Sequence, residues 1–357
     1  MAAKKAGNKK AASKKTAGKK TAGKKRATGK KPVSGSPKRV SFNNISAASW
    51  EHATDRAALH ALRTLPGFDT VIRKVVGAIG ERNVRLIFTA QALEVGPDQY
   101  PDLHEILKEV SATLDWPVPK LYVSQTPLAN AGAVGVDNPF IVLNSSLVEL
   151  SSPDELRFVL GHEVAHIISE HALYRTLLFL LLQFSRAAVP LVGQAVAPIT
   201  LALLEWNRKA EVSCDRAGLL AVQDVDTAVG ALGVMAGGVR GREGSINVEA
   251  LRTQSEAYSD SEGLDTFFKF MATAGRTHPF PVIRVRELDR WAVGGEYARI
   301  LGGEFVARGD EPPLRDDMSA AGDGFSDSAQ EVFTNADEYV SNALSAFAGA
   351  LRRLARD

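Results

Sequence analysis

The segment LGHEVAHIISEH, residues 160–171, restricts the possible folds of this chain more than any other stretch of the sequence. It places His162 and His166 four residues apart, with Glu163 directly after the first histidine. The preceding residues 152–155, SPDE, are typical of a helix start, with serine as the N-cap, proline in the first turn and glutamate as the partner of a capping box. The two histidines are therefore predicted to lie well inside a helix and on one of its faces, since four residues make about one turn.

This His-Glu-His group has the residue types and the spacing of a catalytic zinc site. Two imidazoles one helical turn apart can bind a single Zn²⁺, and the glutamate can then face the metal-bound water. Zinc lowers the pKa of this water toward about 7, so the carboxylate can accept a proton during attack on a peptide carbonyl. In this interpretation His162 and His166 are zinc ligands and Glu163 is the general base.

Two other interpretations of the group stay open from the motif alone. The pattern arises by chance in on the order of 1% of chains of this length. The histidines could alternatively be ordinary polar residues on a helix surface. Aliphatic neighbours such as Leu160, Val164 and Ile167 argue against a polar surface, and a buried His-Glu-His group without a metal would be costly.

A catalytic zinc requires a third protein ligand and one open position. The segment EWNRKAEVSCDRAGLL, residues 205–220, offers Glu211 and Asp215 four residues apart on a predicted helix that ends near Gly218. Glu211 can be the third ligand, while Asp215 can hydrogen-bond the outer nitrogen of a ligating histidine. A solvated charged face is the alternative for such a pair. His171 lacks the intervening glycine of the metzincin pattern and is not predicted to bind the metal.

Four blocks of the sequence resemble conserved blocks of one metallopeptidase family. They are NAGAVGVDNPFIVLNSSL, similar to an Asn-Ala-x-Ala edge strand; HEVAH; RKAEVSCD, similar to Arg-x-x-Glu-x-x-Ala-Asp; and THPFPVIR, similar to Thr-His-Pro followed by Arg. Over roughly residues 100–300 the chain thus resembles the zinc metallopeptidases that include the heat-shock protease HtpX and the CAAX prenyl proteases, which are gluzincins. The resemblance implies a mainly helical α+β fold, a zincin-like metallopeptidase core with a small antiparallel sheet, the HExxH helix and a second ligand-bearing helix.

The resemblance also implies roles for individual residues. Glu211 would be the third zinc ligand, Asp215 would support the ligand set from outside, and His278 would stabilise the oxyanion of the tetrahedral intermediate. Four residues would line the cleft as an edge strand that pairs with extended substrate: Asn130, Ala131, Gly132 and Ala133. Arg208 and Arg284 match family positions as structural ion-pair partners.

The first part of the chain differs in charge from the rest. Residues 1–50 hold 15 Lys and Arg and no acidic residue, which leaves 28 basic and 41 acidic residues for the remainder. We expect residues 1–49, a Lys/Ala-rich basic tail, to be disordered. Such a tail binds polyanions, either nucleic acid or an anionic membrane surface, and a non-specific solubilising tail is the alternative.

The remaining chain is predicted to form a metallopeptidase domain over residues 50–305, with helices over 55–115. KLYVSQT and FIVLNSSLVEL predict two strands joined by the loop NAGAVGVDNP. An acidic linker at 306–330 and a C-terminal amphipathic helix at 331–357 follow. The apolar stripe of this last helix can dock on the domain, self-associate or lie on a membrane, and docking is the default.

Residues 177–204 are the most apolar stretch, diluted by prolines and glycine. We expect an inserted helical hairpin, buried or on a membrane surface, in preference to a transmembrane span. Membrane-bound members of the family carry spans before HExxH, whereas this chain has no candidate before residue 177. The N-terminus lacks the apolar region of a secretory signal, and the single Cys214 excludes an internal disulfide or a cysteine-based zinc cluster. These features predict a cytoplasmic protein, with membrane association as an option.

The predicted activity is that of a zinc-dependent metalloendopeptidase with one Zn²⁺ per chain, acting on protein or peptide substrates, with protein quality control as a possible role. A non-catalytic chaperone-like or nucleic-acid-associated protein of the same fold is the first alternative, and a nucleoid-associated protein whose body is incidental is the second. Glu163 favours the enzyme, because a protein that only binds has no chemical need for that base. The sequence predicts neither the cleavage specificity nor the oligomeric state.

Overall fold

The structure, a computed structural model, describes residues 39–64, 81–135, 137–187, 190–239, 244–259 and 279–312. Its strands are β1 (Ala92–Glu94), β2 (Lys120–Ser124), β3 (Ala131–Val134) and β4 (Phe140–Asn144). The helices within these ranges are α1 (Ala53–Thr64), α2 (Glu81–Gln91), α3 (Pro101–Thr113), α4 (Ser145–Leu150), α5 (Pro153–Ile168), α6 (His171–Ala187), α7 (Pro190–Val222), α8 (Val225–Ala236), α9 (Val248–Ser259), α10 (Pro281–Val293) and α11 (Glu296–Leu301). The predictions for His278, for residues 1–38 of the tail, for residues 313–330 of the linker and for the helix at 331–357 lie outside the described residues.

The four strands form one sheet in the order β1-β2-β4-β3. β1 pairs with β2 and β3 pairs with β4 in antiparallel fashion, whereas β2 and β4 are parallel. The prediction of an antiparallel sheet is therefore wrong for the central pair. The expected loop between the two predicted strands contains a further strand, β3, so the chain reverses twice and β4 regains the direction of β2. The described part of the chain is thus mainly helical with a small mixed sheet.

One turn of this sheet requires glycine. Gly135 follows β3 with φ at +125°, a region that side chains rarely adopt. A Cβ at this position would lie 2.8 Å from the Cα of Pro139. The close approach lets the chain turn directly from β3 back into β4.

Helix α5 carries the HExxH motif through the centre of the domain. Its start confirms the predicted capping box, because Ser152 Oγ accepts from the Glu155 amide at 3.3 Å and Glu155 Oε2 accepts from the Ser152 amide at 2.6 Å. Every residue from Leu156 to Ile167 is buried. The helix packs against α3, α7, α8 and strand β3, so its polar residues meet neighbouring elements instead of solvent.

Helix α7 crosses α5 closely and is longer than the sequence indicates. The predicted end near Gly218 is wrong, since the helix continues to Val222. A Cβ at Gly218 would lie 2.8 Å from the carbonyl oxygen of Phe158, and a Cβ at Gly161 would lie 2.5 Å from Cβ of Ala221. The two glycines allow the backbones to approach, which explains why a glycine stands inside the helix.

The apolar stretch 177–204 is not a separate insertion. It forms the end of α6 and the first part of α7, two consecutive helices that pack against each other. The second of these helices, α7, is the one that carries Glu211. Among the described residues, no helix combines the length and the apolar character needed to cross a membrane.

Both ends of the predicted domain extend further than the sequence boundaries suggest. Phe42 and Ile45 are fully buried, and Ile45 forms an antiparallel bridge with Ala307. Ser46 also donates its amide to the carbonyl of Val306 at 2.8 Å. Residues 39–49, assigned to the tail, thus pack on the body through Phe42 and Ile45, and residues 306–308, assigned to the linker, are joined to them by backbone hydrogen bonds.

Candidate metal centre

The structure brings His162, His166 and Glu211 together between α5 and α7. The two Nε2 atoms are 3.1 Å apart, and each lies 3.4 Å from an oxygen of Glu211. All three side chains are buried. A tetrahedral zinc ion with bonds of about 2.0–2.1 Å holds its ligand atoms roughly 3.3 Å apart. The donor types and their separations therefore fit a single ion of this kind.

The outer nitrogen of His162 faces an ion pair. Its Nδ1 lies 3.0 Å from Asp215 Oδ1, and Arg284 donates to both oxygens of Asp215, at 2.7 and 2.5 Å. Burial would raise the pKa of Asp215, but the charge and hydrogen bonds of Arg284 outweigh it and hold the pKa below its ordinary value. Asp215 is thus a charged acceptor that can keep a proton on Nδ1 of His162 and turn Nε2 toward Glu211.

The outer nitrogen of His166 meets a different partner. Its Nδ1 lies 3.2 Å from Nδ1 of His171, and Nε2 of His171 lies 3.4 Å from Oδ2 of Asp55 on α1. Burial, reinforced by the nearby charge of Arg175, holds the pKa of His166 well below its ordinary value. A neutral imidazole is the form that binds a metal. His171 is therefore beside the centre, although its nitrogens do not join the Nε2 group.

Nothing in the sequence pattern indicated Asp55 or Arg175. Asp55 lies in the first turn of α1, where an acidic residue is common, and Arg175 is one of two arginines in the otherwise apolar helix α6. The Arg175 guanidinium lies 3.5 Å from Glu163 Oε2 and 3.6 Å from Glu211 Oε1. Only the folded chain shows that this cation faces two buried carboxylates.

A small cavity of about 20 Å³ adjoins two of the potential ligands, His162 and Glu211, and Asn130, Ala131 and Glu163 also line it. Ala131 begins strand β3, which pairs with β4 and lies at the end of the sheet order. A Cβ at Gly132 would meet no atom within 4 Å. The predicted substrate strand is thus an edge strand of the described sheet, and it starts beside the metal centre.

Further potential ligand atoms lie next to this centre. His166, His171 and Cys214 form a second buried group, and Cys214 Sγ is 3.6 Å from Nδ1 of His171. Among the described residues, the structure therefore offers two overlapping sets of potential metal ligands.

Arg208, which was expected to be a structural ion-pair partner, is half-buried on α7.

Comparisons with known proteins agree with the kind of centre described above. A profile described as Peptidase family M48 matches residues 97–292. The plastoglobule-localized metallopeptidase 48, chloroplastic, of Arabidopsis thaliana is 33% identical over 275 residues, which is 76% of this chain and 80% of that protein.

Shorter matches link the chain to bacterial proteases. A protease HtpX homolog of Arthrobacter sp. is 40% identical over 85 residues, covering 23% of this chain and 29% of that protein. One from Moorella thermoacetica is 34% identical over 84 residues, covering 23% and 28%. The match therefore spans less than a third of the length of either bacterial homolog. No solved structure matches significantly.

Proposed function

The chain belongs to peptidase family M48 and is a metalloprotease, and on this premise we propose that it is a zinc-dependent endopeptidase with a zincin-like core. The proposed zinc ligands are His162, His166 and Glu211. A set of two imidazoles and one carboxylate is typical of catalytic zinc sites that keep one position open. The observation that carries this proposal is the separation of 3.1–3.4 Å among the three donor groups.

Glu163 is the proposed general base. When bound, zinc supplies Lewis-acid activation of water and of the scissile carbonyl. Glu163 follows a proposed ligand directly, is buried, and lines the same cavity. Its Oε2 accepts no hydrogen bond from the described residues. The carboxylate can accept the proton that the attacking water loses and pass it to the leaving amine.

Two hydrogen-bond donors, His278 and Arg175, are proposed to stabilise the negative charge that develops on the carbonyl oxygen. His278 holds this role by resemblance to the family. Arg175 is supported by its position, 3.5 Å from Glu163, because a buried guanidinium beside the reacting groups stabilises an anion strongly. Asp215 and Arg284 hold His162 in place from outside the ligand set.

The proposed substrate is an extended segment of a protein chain. Strand β3 pairs on one side with β4 and begins at the cavity, so its other edge can add a substrate strand by main-chain hydrogen bonds. The residues proposed to line it, Asn130 to Ala133, are mostly small. Recognition of backbone predicts broad side-chain preference and favours unfolded proteins, as expected for quality control.

The decisive test compares the wild-type protein with Glu163→Gln. Both proteins should contain one zinc per chain, and only the wild type should cleave an unfolded protein, since the substitution removes the base and leaves the ligands. Equal activity in both zinc-loaded proteins would refute the proposed base. Absence of activity in a zinc-loaded wild type would favour the non-catalytic chaperone-like alternative.

We also propose that the chain works at an anionic membrane surface on the cytoplasmic side. The basic residues of segment 1–38 and the apolar stretch at 177–204 support this location, and the chloroplast relative is described as plastoglobule-localized. Deleting residues 1–38 should abolish salt-sensitive binding to anionic vesicles and leave zinc content unchanged. Binding to DNA with no binding to vesicles would point to nucleic acid as the tail's partner, and unchanged vesicle binding after deletion would refute the tail's role.

A further inference from the structure

We infer that His171 and Asp55 form a hydrogen-bonded relay that positions His166 for metal binding, an inference that rests on the proposed zinc ligands. The relay gives His166 the kind of outer support that Asp215 gives His162. It differs because the carboxylate acts through a second imidazole and comes from α1. That helix precedes residues 97–292, the part of the chain that matches the family profile.

Three contacts define the relay. Nδ1 of His166 lies 3.2 Å from Nδ1 of His171, and Nε2 of His171 lies 3.4 Å from Oδ2 of Asp55. The other oxygen of Asp55 accepts a hydrogen bond from Trp206 Nε1 at 2.9 Å. This bond fixes the carboxyl group so that Oδ2 faces His171.

Metal binding by His166 sets the direction of the hydrogen bonds in the relay. Nε2 of His166 is the atom nearest to His162 and Glu211, so a metal bound there leaves the proton of His166 on Nδ1. Nδ1 of His171 must then accept this proton's hydrogen bond, which places the proton of His171 on Nε2. That nitrogen in turn requires an acceptor, and Asp55 Oδ2 is the facing atom.

The surroundings hold the relay rigidly. His166, His171 and Asp55 are all fully buried, and the ring of His171 packs edge-on against Trp206, with centroids 5.4 Å apart. Packing, the 3.2 Å contact at Nδ1 and the 3.4 Å contact between Nε2 and Asp55 Oδ2 together favour one orientation of this buried imidazole. His171 can therefore hold the ring of His166 with its Nε2 directed toward Glu211.

The same atoms could instead hold a second metal, since His166, His171 and Cys214 form a buried group. Two observations favour the relay. The distance of 3.2 Å between the Nδ1 atoms is that of a hydrogen bond, and His166 already presents Nε2 to the first centre. A second metal would require His166 to lose both protons and bridge two ions.

The main test is the isosteric substitution Asp55→Asn. The asparagine oxygen can still accept from Trp206, which turns the amide NH₂ toward His171 and makes Nε2 of His171 an acceptor. The proton of His171 then moves to Nδ1 and opposes metal binding by His166. We expect zinc affinity, measured by competition with a chelator, to fall about 10- to 100-fold in Asp55→Asn. Zinc affinity should also fall in His171→Leu, because leucine offers no acceptor to Nδ1 of His166.

His171→Asn and Cys214→Ala complete the series. His171→Asn retains an acceptor oxygen near the place of Nδ1 and should recover part of the affinity that His171→Leu loses. Cys214→Ala removes the potential sulfur ligand of a second metal and keeps the three residues of the relay, so its zinc affinity should stay close to that of the wild type. Unchanged zinc affinity in the folded variants Asp55→Asn and His171→Leu would overturn the relay. A wild type with two zinc ions per chain, one of which is lost in Cys214→Ala, would overturn it as well.

A measurement on the wild type does not depend on whether the variants fold. In zinc-loaded protein labelled with ¹⁵N-histidine, His171 should carry its proton on Nε2, and the opposite tautomer would overturn the relay. A wild type that binds no zinc would instead refute the proposed function, so the two failures are distinguishable. If the wild type binds zinc and cleaves its substrate while the relay variants keep the zinc affinity of the wild type, the relay alone is refuted.

Discussion

Gly161 on α5 and Gly218 on α7 face each other at a separation that leaves no room for a side chain. A Cβ at Gly161 would lie 3.1 Å from Cα of Gly218, and a Cβ at Gly218 would lie 2.9 Å from the ring of Phe158. His162 follows the first glycine directly, and Glu211 lies about two turns before the second on the same helix. The helix contact that buries the core therefore also sets the distance between two proposed zinc ligands.

We predict that Gly218→Ala weakens both the fold and the metal centre. The added methyl group meets backbone at 2.8 Å, so the helices must separate, and overpacking of this kind costs about 1–3 kcal/mol. Zinc affinity should fall as well, because the ligands sit on the separated helices. Urea unfolding of the metal-free protein and chelator competition measure the two effects.

Gly96→Ala is the matched control for this prediction, since a Cβ at Gly96 meets no atom within 4 Å. It should change neither the free energy of unfolding by more than about 0.5 kcal/mol nor the zinc affinity. A Gly218→Ala protein as stable as the Gly96→Ala protein would contradict the close contact between α5 and α7.

The contrast between Gly218 and Ser152 shows which features the sequence could predict. The capping box that begins α5 depends on residues three apart, so the local pattern sufficed. A glycine in a helical pattern indicates either an end or a close approach, and only the packing of α7 on α5 distinguishes the two. The parallel pairing of β2 and β4 was missed for the same reason, because strand pairing is not local.

The candidate site divides in the same way. The spacing of His162 and His166 and the resemblance around Glu211 suggested three residues that the fold brings together. Asp55 and Arg175 carry no comparable signal, because each is a charged residue that belongs to no motif, and Asp55 is also far along the chain from HExxH. Their proximity depends on how α1 packs on α7 and how α6 packs on α5 and α7, which no short pattern encodes.

Asp55 is expected to lower the stability of the metal-free protein at neutral and alkaline pH. Burial, reinforced by the negative charge of Glu51, raises its pKa from 3.8 to about 8. The unfolded chain loses this proton at lower pH than the folded protein, so the free energy of unfolding falls as the pH rises from 3.8 to about 8. Asp55→Asn has no proton to lose and should be more stable than the wild type near pH 8, by on the order of a few kcal/mol.

Denaturant unfolding in the presence of a chelator, repeated across this pH range, measures that effect. The advantage of Asp55→Asn should shrink as the pH falls and should disappear below the ordinary pKa of an aspartate. A difference that is independent of pH would contradict the raised pKa. The same substitution is expected to weaken zinc binding, so a residue that lowers stability would be retained for the metal centre.

Gly132 offers a test of the proposed substrate strand. A Cβ there enters open space, so Gly132→Val should leave the free energy of unfolding and the zinc content nearly unchanged. The larger side chain stands on the edge strand beside the cavity and should obstruct an approaching peptide. We expect KM for an unfolded substrate to rise several-fold with little change in kcat, which steady-state kinetics measures. A fall in kcat at constant KM would argue against substrate pairing at β3.

Arg175 should affect zinc binding and catalysis in opposite directions. Its guanidinium lies 3.6 Å from Glu211 and 3.5 Å from Glu163, so it repels a divalent cation at the ligands and attracts an anion formed at the same place. We expect Arg175→Met to raise zinc affinity by about tenfold and to lower kcat by about 100-fold or more. Arg175→Lys keeps the charge, so its zinc affinity and its kcat should lie between those of the wild type and those of Arg175→Met. Chelator competition and single-turnover cleavage separate these effects. Weaker zinc binding in Arg175→Met would mean that the arginine orients Glu211 instead of opposing the metal.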